Sequence, residues 1–229
     1  MAHPFITAMC GFGLWLTWVA RLPSLSEAVT GVDVSSPVSE SEWTCLQSSG
    51  GQGAVEFAIV RVYRSSGSVD PNGAATIKAA RRAGIKNVDG YIFPCVSCGN
   101  PASQVNATKQ ALDAAGASFG MFWLDIERYA WSSDKTANQK FIQQMVDACA
   151  SLGVRAGVYS NWNSWGEIVG SDWSYASHLP LWYPHYDKNP SYSDFQPFGG
   201  WQSASIKQYI GDSSSCGASI DYNWYPSTH

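Results

Sequence analysis

Apolar residues along this chain fall into two alternating rhythms. Short blocks in which every second residue is apolar, or nearly all are, read as strands. They are GVDVS (31–35), VEFAIVRVY (55–63), VDGYIFP (88–94), FGMFWLDIE (119–127), RAGVYS (155–160), LPLWYPHY (179–186), SIKQYI (205–210) and ASIDYN (218–223). Between the earlier blocks lie stretches with helix signals. Ser39-x-x-Glu42 is a capping box. Asp70-Pro71 opens a helix that Gly84 closes, and Asn100-Pro101 opens one that ends near Gly116. Ser133 is placed to cap a helix running to Gly153. The last three strands are joined by loops. A β-α-β-α series predicts a parallel sheet. The whole predicts an α/β fold: an irregular (β/α) TIM-like barrel of eight strands and about five helices, in one domain over 29–229.

Only 14% of the 229 residues are charged while 45% are apolar, so the chain folds rather than remaining disordered. Eleven Trp and eleven Tyr exceed what a core of this size needs, and aromatic faces also stack on sugars. The net charge of −4, with no run of like charge, offers no footprint for nucleic acid.

Acids interrupt three of the apolar blocks in one local pattern: Val32-Asp33-Val34, Leu124-Asp125-Ile126-Glu127 and Ile220-Asp221-Tyr222. Side chains two apart share a face of a strand, so Asp125 and Glu127 point the same way. Apolar neighbours take the helix-facing side, which sends the acids to the barrel interior. If each acid closes its strand, four carboxylates meet in one mouth, where barrel active sites form. Any one of them could be a structural ion pair, with Arg61 near the end of the second strand as partner. Four together repel and raise each other's pKa, which suits glycoside hydrolysis better than a purely structural role.

The N-terminus carries an apolar block, Phe5–Ala20, too short for a comfortable membrane span, followed by the small-x-small site Ser26-Glu27-Ala28. This predicts a signal peptide over 1–28. Its removal takes away Arg21 and Glu27 and leaves the charge at −4. Export permits disulfides. Cys95 and Cys98 form a C-x-x-C without the second pair a zinc site wants, so a local disulfide is expected. Cys149 shares a helical apolar face with Phe141, Met145 and Leu152 and reads as a buried thiol. Cys45–Cys216 is then a candidate second bridge. Asn106-Ala-Thr is an N-glycosylation pattern on a predicted helix.

GVDVSS, WLDIE, GVYSN, LWYPHY, IKQY and IDYNWY, in that order, resemble glycoside hydrolase family 25, the N-acetylmuramidases or lysozymes. The resemblance spans 31–225, and FPCVSCGNP is similar to a eukaryotic branch. It implies an irregular β/α barrel and cleavage of the β-1,4 bond between N-acetylmuramic acid and N-acetylglucosamine. By this resemblance Glu127 is the proton donor and Asp125 its partner carboxylate, while Asp33 and Asp221 are supporting acids. Tyr91, Tyr159, Trp182 and Gln208 match groove-lining positions, and Arg61 joins them as a substrate contact.

The implied partner is the glycan strand of peptidoglycan. No cofactor, metal, nucleic acid or membrane after signal cleavage is expected, and a secreted monomer is, with a lysosomal or phagosomal lumen as the other location. The rival readings are a chitinase-like glycosidase and a non-catalytic glycan-binding barrel.

Overall fold

The computed structural model describes residues 28–227. The predicted signal peptide lies outside them, apart from Ala28, which opens the first strand.

Nine strands form one sheet: β1 (Ala28–Val34), β2 (Phe57–Arg64), β3 (Ser68–Val69), β4 (Asn87–Ile92), β5 (Phe122–Asp125), β6 (Ala156–Tyr159), β7 (Leu181–Pro184), β8 (Ile206–Ser215) and β9 (Ala218–Pro226). Pairing of β1 with β2 closes eight of them into a barrel, and β3 is a two-residue addition beside β2. The ring from β1 through β2, β4, β5, β6 and β7 to β8 is parallel. β9 runs antiparallel to both of its neighbours, β8 and β1.

That direction corrects the expectation for Asp221. It lies in the entering half of β9, not at a C-terminal end. Because β9 is reversed, its entering half stands at the same barrel mouth as the ends of the parallel strands. The β8–β9 hairpin projects beyond that mouth and turns at Cys216 and Gly217, both with positive φ (55° and 86°). Two left-handed central residues are what a tight hairpin turn needs. The Cys45–Cys216 disulfide ties this turn to α1 (Glu40–Ser49), and Cys95–Cys98 closes the loop after β4. Cys149 is free and buried, as expected, although Leu152 of its proposed face is exposed.

The helices are α1, α2 (Gly73–Arg82), α3 (Pro101–Ala114), α4 (Lys135–Ser151) and α5 (Trp162–Ile168). The capping box on α1 is formed, with Ser39 and Glu42 bonding reciprocally. α2 begins three residues after Asp70, whose carboxylate instead accepts from Asn72 N and pairs with Arg61. α4 is capped by Asp134, not Ser133: its carboxylate accepts from Thr136 N and Ala137 N. Asn106 sits half-buried on α3, and the Thr108 hydroxyl of its motif is buried and donates to Gln104 O. Among the described residues no helix is long and apolar enough to cross a membrane.

Two apolar layers result. The larger packs the outward side chains of the strands, such as Val32, Val34, Phe122 and Leu124, against the helices. The smaller fills the barrel with Phe57, Ile59, Met121, Trp123, Tyr159 and Trp182 among others. Gly157 makes room there: a Cβ at that position would lie 2.4 Å from the Trp123 ring.

Candidate active site

The barrel mouth is built on an amide relay. Asp33 of β1 and Asp221 of β9 are direct cross-strand partners. Gln208 of β8 donates from Nε2 to Asp33 Oδ1 at 2.8 Å and to Asp221 Oδ2 at 3.3 Å. Its Oε1 accepts from the Tyr159 hydroxyl at 2.7 Å and the Tyr186 hydroxyl at 2.9 Å. Asn223 donates to Asp33 Oδ1 at 2.7 Å, while its own Oδ1 accepts from Trp182 Nε1 at 2.7 Å. Asp221 Oδ1 accepts from Asp212 N at 2.7 Å. Each amide is thereby fixed in one orientation, with oxygen towards donors and nitrogen towards carboxylates.

Asp125 ends β5, which is four residues long rather than nine. The alternation nevertheless carries on to Glu127, because Ile126 N still donates to Tyr159 O at 2.8 Å. Ser160 Oγ donates to Ile126 O at 2.7 Å and Trp131 Nε1 to Glu127 O at 2.8 Å, so the segment bearing both acids is held from two sides. Asp125 is buried, and its Oδ1 has no hydrogen-bond partner among the described residues. Glu127 is half-buried beside a cleft of about 280 Å³ that Tyr159, Asn161, His185 and Tyr186 also line.

All four acids hold protons more tightly than free carboxylates do. Burial, then Asp221, pushes Asp33 up to about 8 against the pull of its two amide donors. Burial, then Glu127 and Asp33, drives Asp125 well up. Burial and Asp221 raise Glu127, and burial is the main cause at Asp221. Their mutual repulsion shows that the fold brings the four into one field.

The other predicted positions fall into place differently. Tyr91, Tyr159, Trp182 and Gln208 are buried. Tyr159 also lines the cleft beside Glu127, while Tyr91, Trp182 and Gln208 pack beneath the acids. Tyr91 and Tyr159 both meet Trp182 edge-on. Arg61 pairs with none of the four acids: it bonds Asp70 at 2.8 Å and Ser35 O at 2.7 Å. The sequence reading missed Tyr186 and Asn223 of the relay, and Trp131. It also missed the exposed aromatics at the mouth, Tyr129, Trp162 and Tyr186. Each of those three follows the end of β5, β6 or β7 by only two to four residues, a position that itself marks the loops of a barrel's working face.

Behind the mouth, His185, Asp187 and Asp194 offer three ligand atoms within 4.8 Å of one another. The charge of that cluster is met by Lys207, fully buried, whose Nζ donates to Asp187 at 2.8 Å, Asp194 at 2.7 Å and Ser191 O at 2.9 Å. Lys207 thus pins the β7–β8 loop that carries Tyr186 into the relay.

A half-buried acid beside a buried carboxylate can protonate a leaving oxygen while an opposing charge is stabilised next to it, the chemistry of a glycoside hydrolase. Comparison with known proteins agrees. The family described as Lysozyme-like protein 1 matches residues 25–209. The probable GH family 25 lysozyme 2 of Dictyostelium discoideum is 43% identical over 93% of this chain and 98% of its own. The family GH25 lysozyme from Aspergillus fumigatus shares the fold with a TM-score of 0.68 at 16% identity, over 88% of this chain and 95% of its own. So does the modular autolysin LytC from Streptococcus pneumoniae in complex with a synthetic peptidoglycan ligand. Its TM-score is 0.65 at 18% identity, over 86% of this chain and 47% of that one. The chain belongs to glycoside hydrolase family 25, the lysozymes.

Proposed function

We propose that this is a secreted, monomeric lysozyme that cleaves the β-1,4 bond between N-acetylmuramic acid and N-acetylglucosamine in peptidoglycan, with retention of configuration. The observation that carries the reading is Asp125 Oδ1, a buried carboxylate oxygen without a partner, on the same strand face as Glu127. A buried polar atom left unpaired costs free energy unless a ligand satisfies it. The N–H of a 2-acetamido group is a fitting donor. The peptidoglycan ligand of the structurally similar autolysin supports the same substrate class.

In this scheme Glu127 gives its proton to the glycosidic oxygen. The C1–O bond breaks as the acetamido carbonyl oxygen bonds to C1. Asp125, whose proton burial and its acidic neighbours hold in the free protein, releases it to solvent as the sugar binds; its carboxylate then accepts the acetamido N–H and faces the positive oxazolinium ion that forms. Glu127, now a carboxylate, takes a proton from water, whose oxygen attacks C1 and reopens the ring. Asp33 and Asp221 do not touch the sugar in this scheme. Through Gln208 and Asn223 they fix the floor on which Asp125 rests.

The segment Phe5–Ala20, the Ser26-Glu27-Ala28 site and two disulfides support export to an oxidising compartment, extracellular or lysosomal. Secreted material should begin at Val29 by mass spectrometry, and a chain retaining Cys10 would contradict this. The activity test is clearing of purified bacterial walls with release of muramic-acid reducing ends, by the wild type and by Glu127→Gln. The amide keeps the shape but carries no transferable proton, so a loss on the order of a hundredfold or more is expected with an unchanged melting temperature. Binding without release would make the barrel non-catalytic, and cleavage of chitin in place of walls would make it a chitinase.

A further inference from the structure

Arg128 directly follows Glu127 and lines two adjoining clefts at the barrel mouth. One is the cleft of about 280 Å³ beside Glu127. The other, of about 470 Å³, lies among Tyr129, Trp131, Ser132, Ser133 and Glu167. Among the described residues little engages the Arg128 charge. Its partner Glu167 stands at 3.4 Å, and the two side chains are 59% and 66% exposed, a pairing worth little in water. The other cationic groups nearby are committed. Arg61 is bonded to Asp70 and Ser35, and Lys207 is buried between Asp187 and Asp194. The mouth itself holds four acids, all shifted towards their protonated forms, and no cation among the described residues, so a ligand carboxylate meets its counter-charge only at the edge.

We propose that Arg128 and the cleft beside it form a subsite for a carboxylate-bearing substituent of the glycan. That substituent is the acidic peptide stem carried on the lactyl ether, or the lactyl carboxylate itself where the stem has been removed; either distinguishes muramic acid from the plain amino sugar of chitin. The inference rests on the reading of the chain as a peptidoglycan hydrolase and adds the residue that sets its preference. A guanidinium fork binds a carboxylate through two parallel hydrogen bonds. Tyr129, 70% exposed and tilted against Phe93 at 5.3 Å, offers an aromatic face to the apolar part of the substituent. Glu167 swings into solvent when the ligand carboxylate takes its place.

The test measures binding in the Glu127→Gln protein, so that no ligand is consumed. Calorimetry is run with three tetrasaccharides: a peptidoglycan fragment with its stems, the same glycan after amidase removal of the stems, and chitotetraose. Adding Arg128→Gln should lower the ratio of affinity for the stem-bearing glycan over chitotetraose by about tenfold, since a hydrogen-bonded charge pair is lost from one ligand only. Arg128→Lys should restore part of that ratio. The stem-free glycan, whose lactyl carboxyl the amidase frees from its amide bond to the stem, tells whether a carboxylate at that position suffices or the carboxylates of the stem are required. A ratio unchanged by Arg128→Gln overturns the subsite, as does an equal loss for both ligands or no binding of the stem-bearing glycan. Wall clearing by the wild type is read separately. Clearing with an unchanged ratio removes only the subsite. An Arg128-dependent ratio without clearing removes only the hydrolase reading.

Discussion

Asp33 and Asp221 face each other across the β1–β9 ladder and share the amide nitrogen of Gln208, at 2.8 and 3.3 Å. Burial and that proximity lift Asp33 from an ordinary 3.8 to about 8. The folded protein therefore holds a proton that the unfolded chain releases near pH 4. Between those two values the native state binds more protons than the unfolded one, so stability falls as pH rises. The other three acids are shifted the same way and add to the slope. Melting temperatures should be higher at pH 5 than at pH 8. Asp33→Asn keeps an oxygen for both amide donors and has no proton to lose, so its slope should be shallower. A wild-type melting temperature that rises from pH 5 to pH 8 would refute this assignment.

The parallel part of the barrel was legible because alternation and helix caps are local signals. Alternation is blind to strand direction, so it finds the start of β9 at Ala218 but stops three residues short of Pro226 and assigns Asp221 to the wrong end. The capping box at Ser39 was plain, while the neighbouring candidates Ser133 and Asp134 could be separated only by seeing whose oxygen meets the helix amides. Lys207 shows a sharper limit. A lysine in a strand reads as a solvent-facing residue, yet this one is fully buried, because Asp187 and Asp194 come back to it from a loop, 20 and 13 residues upstream. The acids could be picked out as a set. Their supports, Gln208, Asn223, Tyr186 and Trp131, act through hydrogen bonds that exist only once the barrel has closed.

Lys207→Met should be destabilising. The change keeps most of the apolar stem and leaves Asp187 and Asp194 facing each other without their cation. Lys207 is fully buried but Asp187 and Asp194 keep 23% and 20% of their side-chain surface, so removing the cation costs about 1–3 kcal/mol, below the figure for a wholly buried pair. The midpoint of urea unfolding should drop with an unchanged slope. A shift of only a few tenths of a kcal/mol would mean that the loop is held by something else.

Trp131→Phe tests the support of Glu127 from outside the barrel. The ring would still pack edge-on against Phe141, but the bond from Nε1 to Glu127 O at 2.8 Å would be lost. A net hydrogen bond is worth about 1 kcal/mol of stability, so the melting temperature should fall by about 2–4 °C, and kcat should fall roughly fivefold as the loosened segment lets Glu127 leave its aligned position at a similar energy. An undiminished kcat would show that Ser160, bonding Ile126 O on the other side, suffices to hold the segment.

Asp125→Asn separates the two roles its carboxylate could play. If the acetamido group is the nucleophile, the charge of Asp125 matters most once the oxazolinium ion forms, which is only along the reaction path. The asparagine oxygen can still accept the acetamido N–H, so ground-state binding survives. Accordingly kcat should fall by at least a hundredfold while KM changes little. The wild-type enzyme should release a sugar that is first β, because two displacements at C1 restore the starting configuration. Proton NMR of a fresh digest reads the anomer before it equilibrates. An α product would mean a single displacement by water. Asp125 would then be its general base, and the unpaired Oδ1 would await that water and not an acetamido N–H.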